Sequence, residues 1–131
     1  MTAPYLTERG AAAADNLWGD GAHARMERYC ATLAEQTDET FARILTDFVT
    51  NGMYARGILP DGVRELCAVA ALTVLNRPDE LRGHFGAALR HNSLEHVREV
   101  VLQMAVYGGV PALHSALAAL DEVAGEADAA S

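Results

Sequence analysis

Arg77, Glu80 and His84 stand at positions i, i+3 and i+7. That spacing puts all three on one helix face, with neighbouring members within side-chain reach. Glu65 lies on the preceding helix of the same hairpin, which can return it to that face. An Arg, two carboxylates and a His in an apolar setting suit proton transfer on an anionic substrate. Arg binds a carboxylate in bidentate fashion. His exchanges a proton near neutral pH, and a Glu beside it sets its tautomer and charge. The candidate catalytic residues are therefore His84, Glu80 and Glu65, with Arg77 holding the substrate. Arg56 beside Tyr54 adds a second anion contact, and Tyr107 completes the substrate-binding set. Each has a structural alternative. Arg77 fits a solvated loop, and Asp79 and Glu80 fit a first helical turn, where the macrodipole favours carboxylates. His84 fits a satisfied, half-buried position, and Glu65 can pair with Arg64. Tyr54, Tyr107 and Trp18 suit a core or an interface.

The elements that must position these residues are helical. Residues 3–18 read as a first helix ending at Gly19-Asp20-Gly21, and a short second helix covers 23–35. Thr37 and Asp38 offer cap chemistry to a third, on which Phe41, Ile44, Leu45, Phe48 and Val49 recur at helical spacing; it stops near Asn51-Gly52 or a turn later. The next helix begins around Pro60 or Asp61 and is apolar on nearly every side by residue 76, the mark of a buried helix. Asn76-Arg77-Pro78 breaks it, with Pro78 suited to the first turn of a helix running to about His91. Ser93 caps another, whose apolar side is Leu94, Val97, Val100, Val101, Met104 and Ala105. Gly108-Gly109 and Pro111 precede a last helix carrying Leu113, Leu117 and Leu120. No strand pair is readable. The expectation is an all-α fold of six or seven helices in antiparallel hairpins, one domain over residues 1–124, then a frayed acidic tail over 125–131.

Composition narrows the partners. The chain has 131 residues, 50% apolar and only 6% aromatic, as closely packed helices require. A formal charge of -8 argues against nucleic acid and anionic membranes. Residues 1–20 contain Glu8, Arg9 and Asp15 and lack the apolar stretch of a signal peptide, and no run spans a bilayer. Cys30 and Cys67 form neither a CxxC nor a metal spacing, so they read as two buried thiols in a reducing, cytoplasmic compartment. His91, His96 and His114 share no ligand spacing, so no protein-bound metal is expected. The apolar surplus exceeds one small core, so a second copy of the chain is an expected partner.

The strings ARGILP (55–60), LTVLNRPDELRGHFGAAL (72–89) and EVVLQMAVYGGVPAL (99–113) resemble the gamma-carboxymuconolactone decarboxylase family, with Gln103, Tyr107, Gly109 and Pro111 in register in the last. The resemblance covers Arg56 to Leu120 and extends more weakly to about Asp15. It implies an alkylhydroperoxidase D-like helical subunit assembling into trimers or hexamers, no cofactor, and a small-molecule substrate: loss of CO2 from an unsaturated lactone acid. In the wider superfamily the thiol peroxidases look like Glu-x11-Cys-x2-Cys-x3-His. Counted from Glu65, this chain places Arg77 and Glu80 at the two cysteine positions and keeps His84, which excludes that thiolate chemistry. Departures from the decarboxylase pattern are His84-Phe85-Gly86, where the family often has His-x-Arg, together with His91-Asn92 and the ALHSA string at 112–116. Gly86 would open space for a larger substrate. The reading is a lyase, with isomerisation or cyclisation of a bulkier metabolite, or an oligomeric binding protein without catalysis, as alternatives.

Overall fold

The computed structural model describes residues 3–130, in seven α-helices and one π-helix, with no strand among the described residues. Its contacts cluster into two compact units, Met1–Leu59 and Pro60–Ser131.

The first unit holds α1 (Glu8–Trp18), α2 (Ala22–Gln36), α3 (Glu39–Phe48) and the π-helix Val49–Tyr54 that continues α3 without a break. The first helix starts at Glu8, not at Ala3 as its composition suggests. Thr7 Oγ1 accepts the Gly10 amide at 3.0 Å and caps it. The Tyr5 and Leu6 amides upstream are bound at 2.9 and 2.8 Å by the Glu27 carboxylate and are not available to helix carbonyls. Gly19 and Gly21, at φ of 105° and 82°, turn the chain into α2, which spans four full turns and is not short. Asp38 caps α3 by accepting the Phe41 amide at 2.8 Å. The core here sets one large side chain, Leu17, among small groups, Ala14, Ala22, Cys30 and Ala42.

The second unit is a four-helix arrangement of α4 (Asp61–Val74), α5 (Pro78–His91), α6 (Leu94–Gly108) and α7 (Val110–Ala130). Pro78 occupies the first turn of α5, where its missing N–H costs nothing. Asn76, at φ 55°, is the non-glycine residue in the left-handed region that closes α4. Ser93 caps α6, and Gly109 at φ 87° divides α6 from α7. Every helix contributes to one core: Val69 from α4, Leu81, Phe85 and Ala88 from α5, Val97 and Val101 from α6, Ala116, Ala119 and Leu120 from α7. Full burial of each large side chain contributes about 1.5–3 kcal/mol. The last helix runs on through Gly125 to Ala130, exposed from Gly125 onward. No helix among the described residues is long and apolar enough to cross a membrane.

The two thiols differ. Cys30 is buried, and burial pushes its thiol up. Thr46 donates its hydroxyl to the Ala42 carbonyl at 2.7 Å, so the Cys30 S–H is the donor to Thr46 Oγ1 at 3.1 Å. Cys67 is exposed, which corrects the expectation of two buried thiols. It lies two residues beyond Glu65, about 200° round α4, and the side facing the core is the one Glu65 occupies.

Candidate active site

Antiparallel α4 and α5 bring together two of the residues singled out by spacing. The Glu65 carboxylate, 0% exposed, receives a hydrogen bond on Oε2 from His84 Nδ1 at 2.8 Å. The His84 side chain is 22% exposed. With the carboxylate ionised, Nδ1 carries the proton, and Nε2 is left to exchange one with whatever meets the exposed edge of the ring. The contacts that set this register lie less than one turn before Glu65, at the open end of the hairpin. Asn92 Nδ2 donates to the carbonyls of Gly62 and Ala88, both at 3.1 Å. Gly62 lets α4 approach the Cβ of His91 more closely than a side chain would allow.

The pair is a poor structural device. A carboxylate removed from water costs several kcal/mol unless paired and fully hydrogen-bonded. Glu65 Oε1 is buried with no hydrogen-bond partner among the described residues. An apolar residue of similar volume would serve the core as well or better.

The other candidates stand apart from that contact. Arg77 is the exposed residue that precedes α5, seven positions or about 10.5 Å of helix from His84. Its backbone N–H donates to the Leu72 carbonyl at 3.0 Å, which fixes the loop while the guanidinium remains at the surface. Glu80 is exposed one turn before His84, on the same face. The carboxylate on the imidazole is therefore Glu65. Tyr107, 70% exposed, lies at the end of α6. Tyr54 and Arg56 belong to the first unit, where the Tyr54 ring packs on Trp18 with centroids 5.4 Å apart. Gly86 falls about 200° round α5 from His84, and a Cβ there would meet nothing within 4 Å. The space Gly86 leaves is thus on the opposite side of the helix from the imidazole, contrary to the expectation of a roomier His84 pocket. No group of three or more metal-ligating side chains occurs among the described residues.

Sequence reasoning missed a set of polar clamps in the first unit. Asn51, read as a helix stop, accepts on Oδ1 from the Thr7 amide at 2.9 Å and the Thr7 hydroxyl at 3.2 Å. Its Nδ2 donates to the Tyr5 carbonyl and to Asp47, both at 2.9 Å. Asp15 accepts the His23 amide at 2.9 Å and His23 Nδ1 at 3.0 Å. The His23 amide, and then the ring, hold the Asp15 carboxyl below the usual carboxylate range. Apart from the Asn51–Asp47 contact within one turn, these partners lie 8 to 46 residues apart, beyond any local spacing rule.

Known proteins match the same region. The profile of the carboxymuconolactone decarboxylase family matches residues 39–122, more than half of the chain. A 4-carboxymuconolactone decarboxylase of Acinetobacter baylyi (strain ATCC 33305 / BD413 / ADP1) is 30% identical over 87 residues, 66% of this chain and 65% of the relative. The match thus spans a little under two thirds of that relative's length.

Proposed function

Because the chain belongs to the carboxymuconolactone decarboxylase family, we propose that it is a decarboxylase-like lyase acting on a small unsaturated lactone or related carboxylic acid by proton transfer at His84. The observation that carries this reading is the buried Glu65 carboxylate on His84 Nδ1 at 2.8 Å. In the proposed step the bond to the leaving carboxylate breaks and CO2 departs. Its electron pair passes into the conjugated lactone carbonyl, so the substrate is its own electron sink. His84, held by Glu65 in the orientation that turns Nε2 outward, returns a proton to carbon. Arg77 anchors the anion, and Glu80, one turn from His84, adjusts the field on the ring. Tyr107 is proposed to contact substrate on the second unit, and Arg56 beside Tyr54 is the proposed anion contact of the first.

The proposal extends to a homo-oligomer, a trimer or hexamer, which the exposed apolar side chains Leu75, Val106 and Val110 support. Light scattering on the purified protein tests it, and a monodisperse monomer would remove it. For the reaction, the test is incubation with 4-carboxymuconolactone while CO2 release is followed. Turnover that survives His84→Gln would sink the assignment of His84. No turnover by a folded protein would favour an isomerase or cyclase using the same pair.

A further inference from the structure

We propose that residues Ala3–Thr7 form a strap that holds the π-helix Val49–Tyr54 in register through Asn51, which makes Asn51 a positioning residue for Tyr54 and Arg56. The role given to Tyr54 and Arg56 rests on the function proposed above; the coupling itself does not.

The strap belongs to neither a helix nor a strand, yet side chains from three elements bind its backbone. From α2, Glu27 accepts the Tyr5 and Leu6 amides. From α3, Arg43 donates to the Ala3 and Pro4 carbonyls at 2.8 and 3.2 Å, and its guanidinium lies 4.5 Å from the centroid of the Tyr5 ring. The Tyr5 hydroxyl donates to Glu39 at 2.7 Å. From the π-helix, Asn51 takes the Tyr5 carbonyl and both donors of Thr7. Asn51 joins this strap to the π-helix and, through Asp47, to the last turn of α3.

A π-helical turn is less favourable than an α-helical one and persists where its surroundings over-determine it. Three features do so here. Asn51 is tied on both sides. Gly52 has no Cβ, and one there would meet the Asp47 carbonyl oxygen at 2.6 Å. Gly10 of α1 leaves room for the Asn51 amide, which a Cβ at that position would strike. Arg9 adds a hydrogen bond to the Ala55 carbonyl at 3.2 Å, beyond the end of the π-helix. The extra residue that a π-turn inserts rotates everything after it, so the register decides where Tyr54 and Arg56 point. A strap that loosened would let the turn relax toward α-helical winding and move both.

Trp18 is the one tryptophan of the chain and its ring packs on Tyr54, so its emission reads the position of the π-helix without any substrate. Asn51→Asp keeps the oxygens that accept from Thr7 and removes both Nδ2 donations. The expected result is a shift in Trp18 emission and faster amide exchange over residues 49–54. With 4-carboxymuconolactone as the probe, KM is expected to rise several-fold with kcat retained. Glu27→Ala, which frees the strap at its other anchor and leaves Asn51 intact, is expected to give the same emission shift, and it serves if Asn51→Asp fails to fold. Unchanged emission and exchange in a folded variant would overturn the coupling. A shift in emission with KM unmoved would support the coupling and remove Tyr54 and Arg56 from the substrate contacts. Absence of turnover by the unsubstituted protein would count against the lyase reading alone, because emission still decides the coupling.

Discussion

The two units spend their polar side chains differently. In the first, four carboxylates and amides are directed at backbone: Glu27 and Asn51 at the strap, Asp38 at the start of α3, Asp15 at the amide that opens α2. Each satisfies a group that the fold would otherwise leave unpaired, so each is explained by structure. In the second unit the most deeply buried polar group is directed at another side chain, Glu65 at His84, and one of its oxygens is left without a donor. That arrangement is worse for folding than an apolar pair would be. On the function proposed above, the contrast separates side chains that build the protein from a pair that serves its chemistry.

The largest expected effect tests the second half of that contrast. His84→Gln, which keeps bulk and a hydrogen-bonding end but cannot carry the proton, should lower kcat on the true substrate by about 10²- to 10⁴-fold, measured as CO2 release. Glu65→Gln should fall short of that, because it disturbs the imidazole without removing it. Equal or greater loss from Glu65→Gln would mean that the carboxylate itself meets the substrate.

Stability offers a sharper separation. His84→Ala leaves the buried Glu65 carboxylate uncompensated and should cost about 3–5 kcal/mol. Replacing both partners, Glu65→Leu with His84→Phe, should return stability to the parent value or above it, while activity stays lost. Urea denaturation of the parent, single and double variants measures both. A double variant no more stable than the single one would show that the pair holds α4 to α5, and the contrast between the units would fail.

What was legible in the sequence followed the range of the interactions. Helices were readable because caps and periodicity act within four residues: Asp38, Pro78 and Ser93 all stand at or beside the boundaries their types imply. Glu65 and His84 were readable as a pair because the family spacing and the hairpin both bring them together. The choice between Glu65 and Glu80 was not, since it depends on which face of α4 packs on α5. The start of α1 was lost for a related reason. Ala3–Leu6 has no local obstacle to winding that outweighs Glu27, twenty-one residues beyond Leu6, taking its amides. The π-helix has no periodicity of its own, and Asn51-Gly52 carries the ordinary signature of a helix stop. Gly86 shows the opposite case: a position two residues from His84 in sequence lies on the far side of the helix from it.

Glycines give a smaller and symmetrical test. In the first unit Gly10→Ala forces a Cβ onto the Asn51 amide, and overpacking of this kind costs about 1–3 kcal/mol. In the second, Gly86→Ala places a Cβ where nothing lies within 4 Å. It removes a flexible residue from a helix interior, a gain of about 0.5–1 kcal/mol. Gly86→Ala should also leave kcat and KM unchanged, because the position faces away from His84. A fall in activity with Gly86→Ala would place that side of α5 against substrate or against another subunit's site.

The smallest effect concerns pH and belongs to the first unit alone. The Asp15 carboxyl is held below its ordinary range by the His23 amide and ring. A carboxylate with a depressed folded pKa contributes stability that is fully present above the ordinary carboxylate value and is lost as pH falls through the lower, folded value. The clamp between α1 and α2 should therefore hold at neutral pH and fail in the acid range, below the point where a free aspartate protonates. Trp18, three residues from Asp15 at the end of α1, reports on this unit, so its denaturation midpoint can be followed from neutral pH downward. Asp15→Asn should flatten the acid limb of that curve, because the amide retains an oxygen for the His23 N–H but has no proton to gain. If Asp15→Asn leaves the acid limb as steep as before, the His23 contact makes no measurable contribution in solution, and the clamps that define the first unit reduce to Glu27 and Asn51.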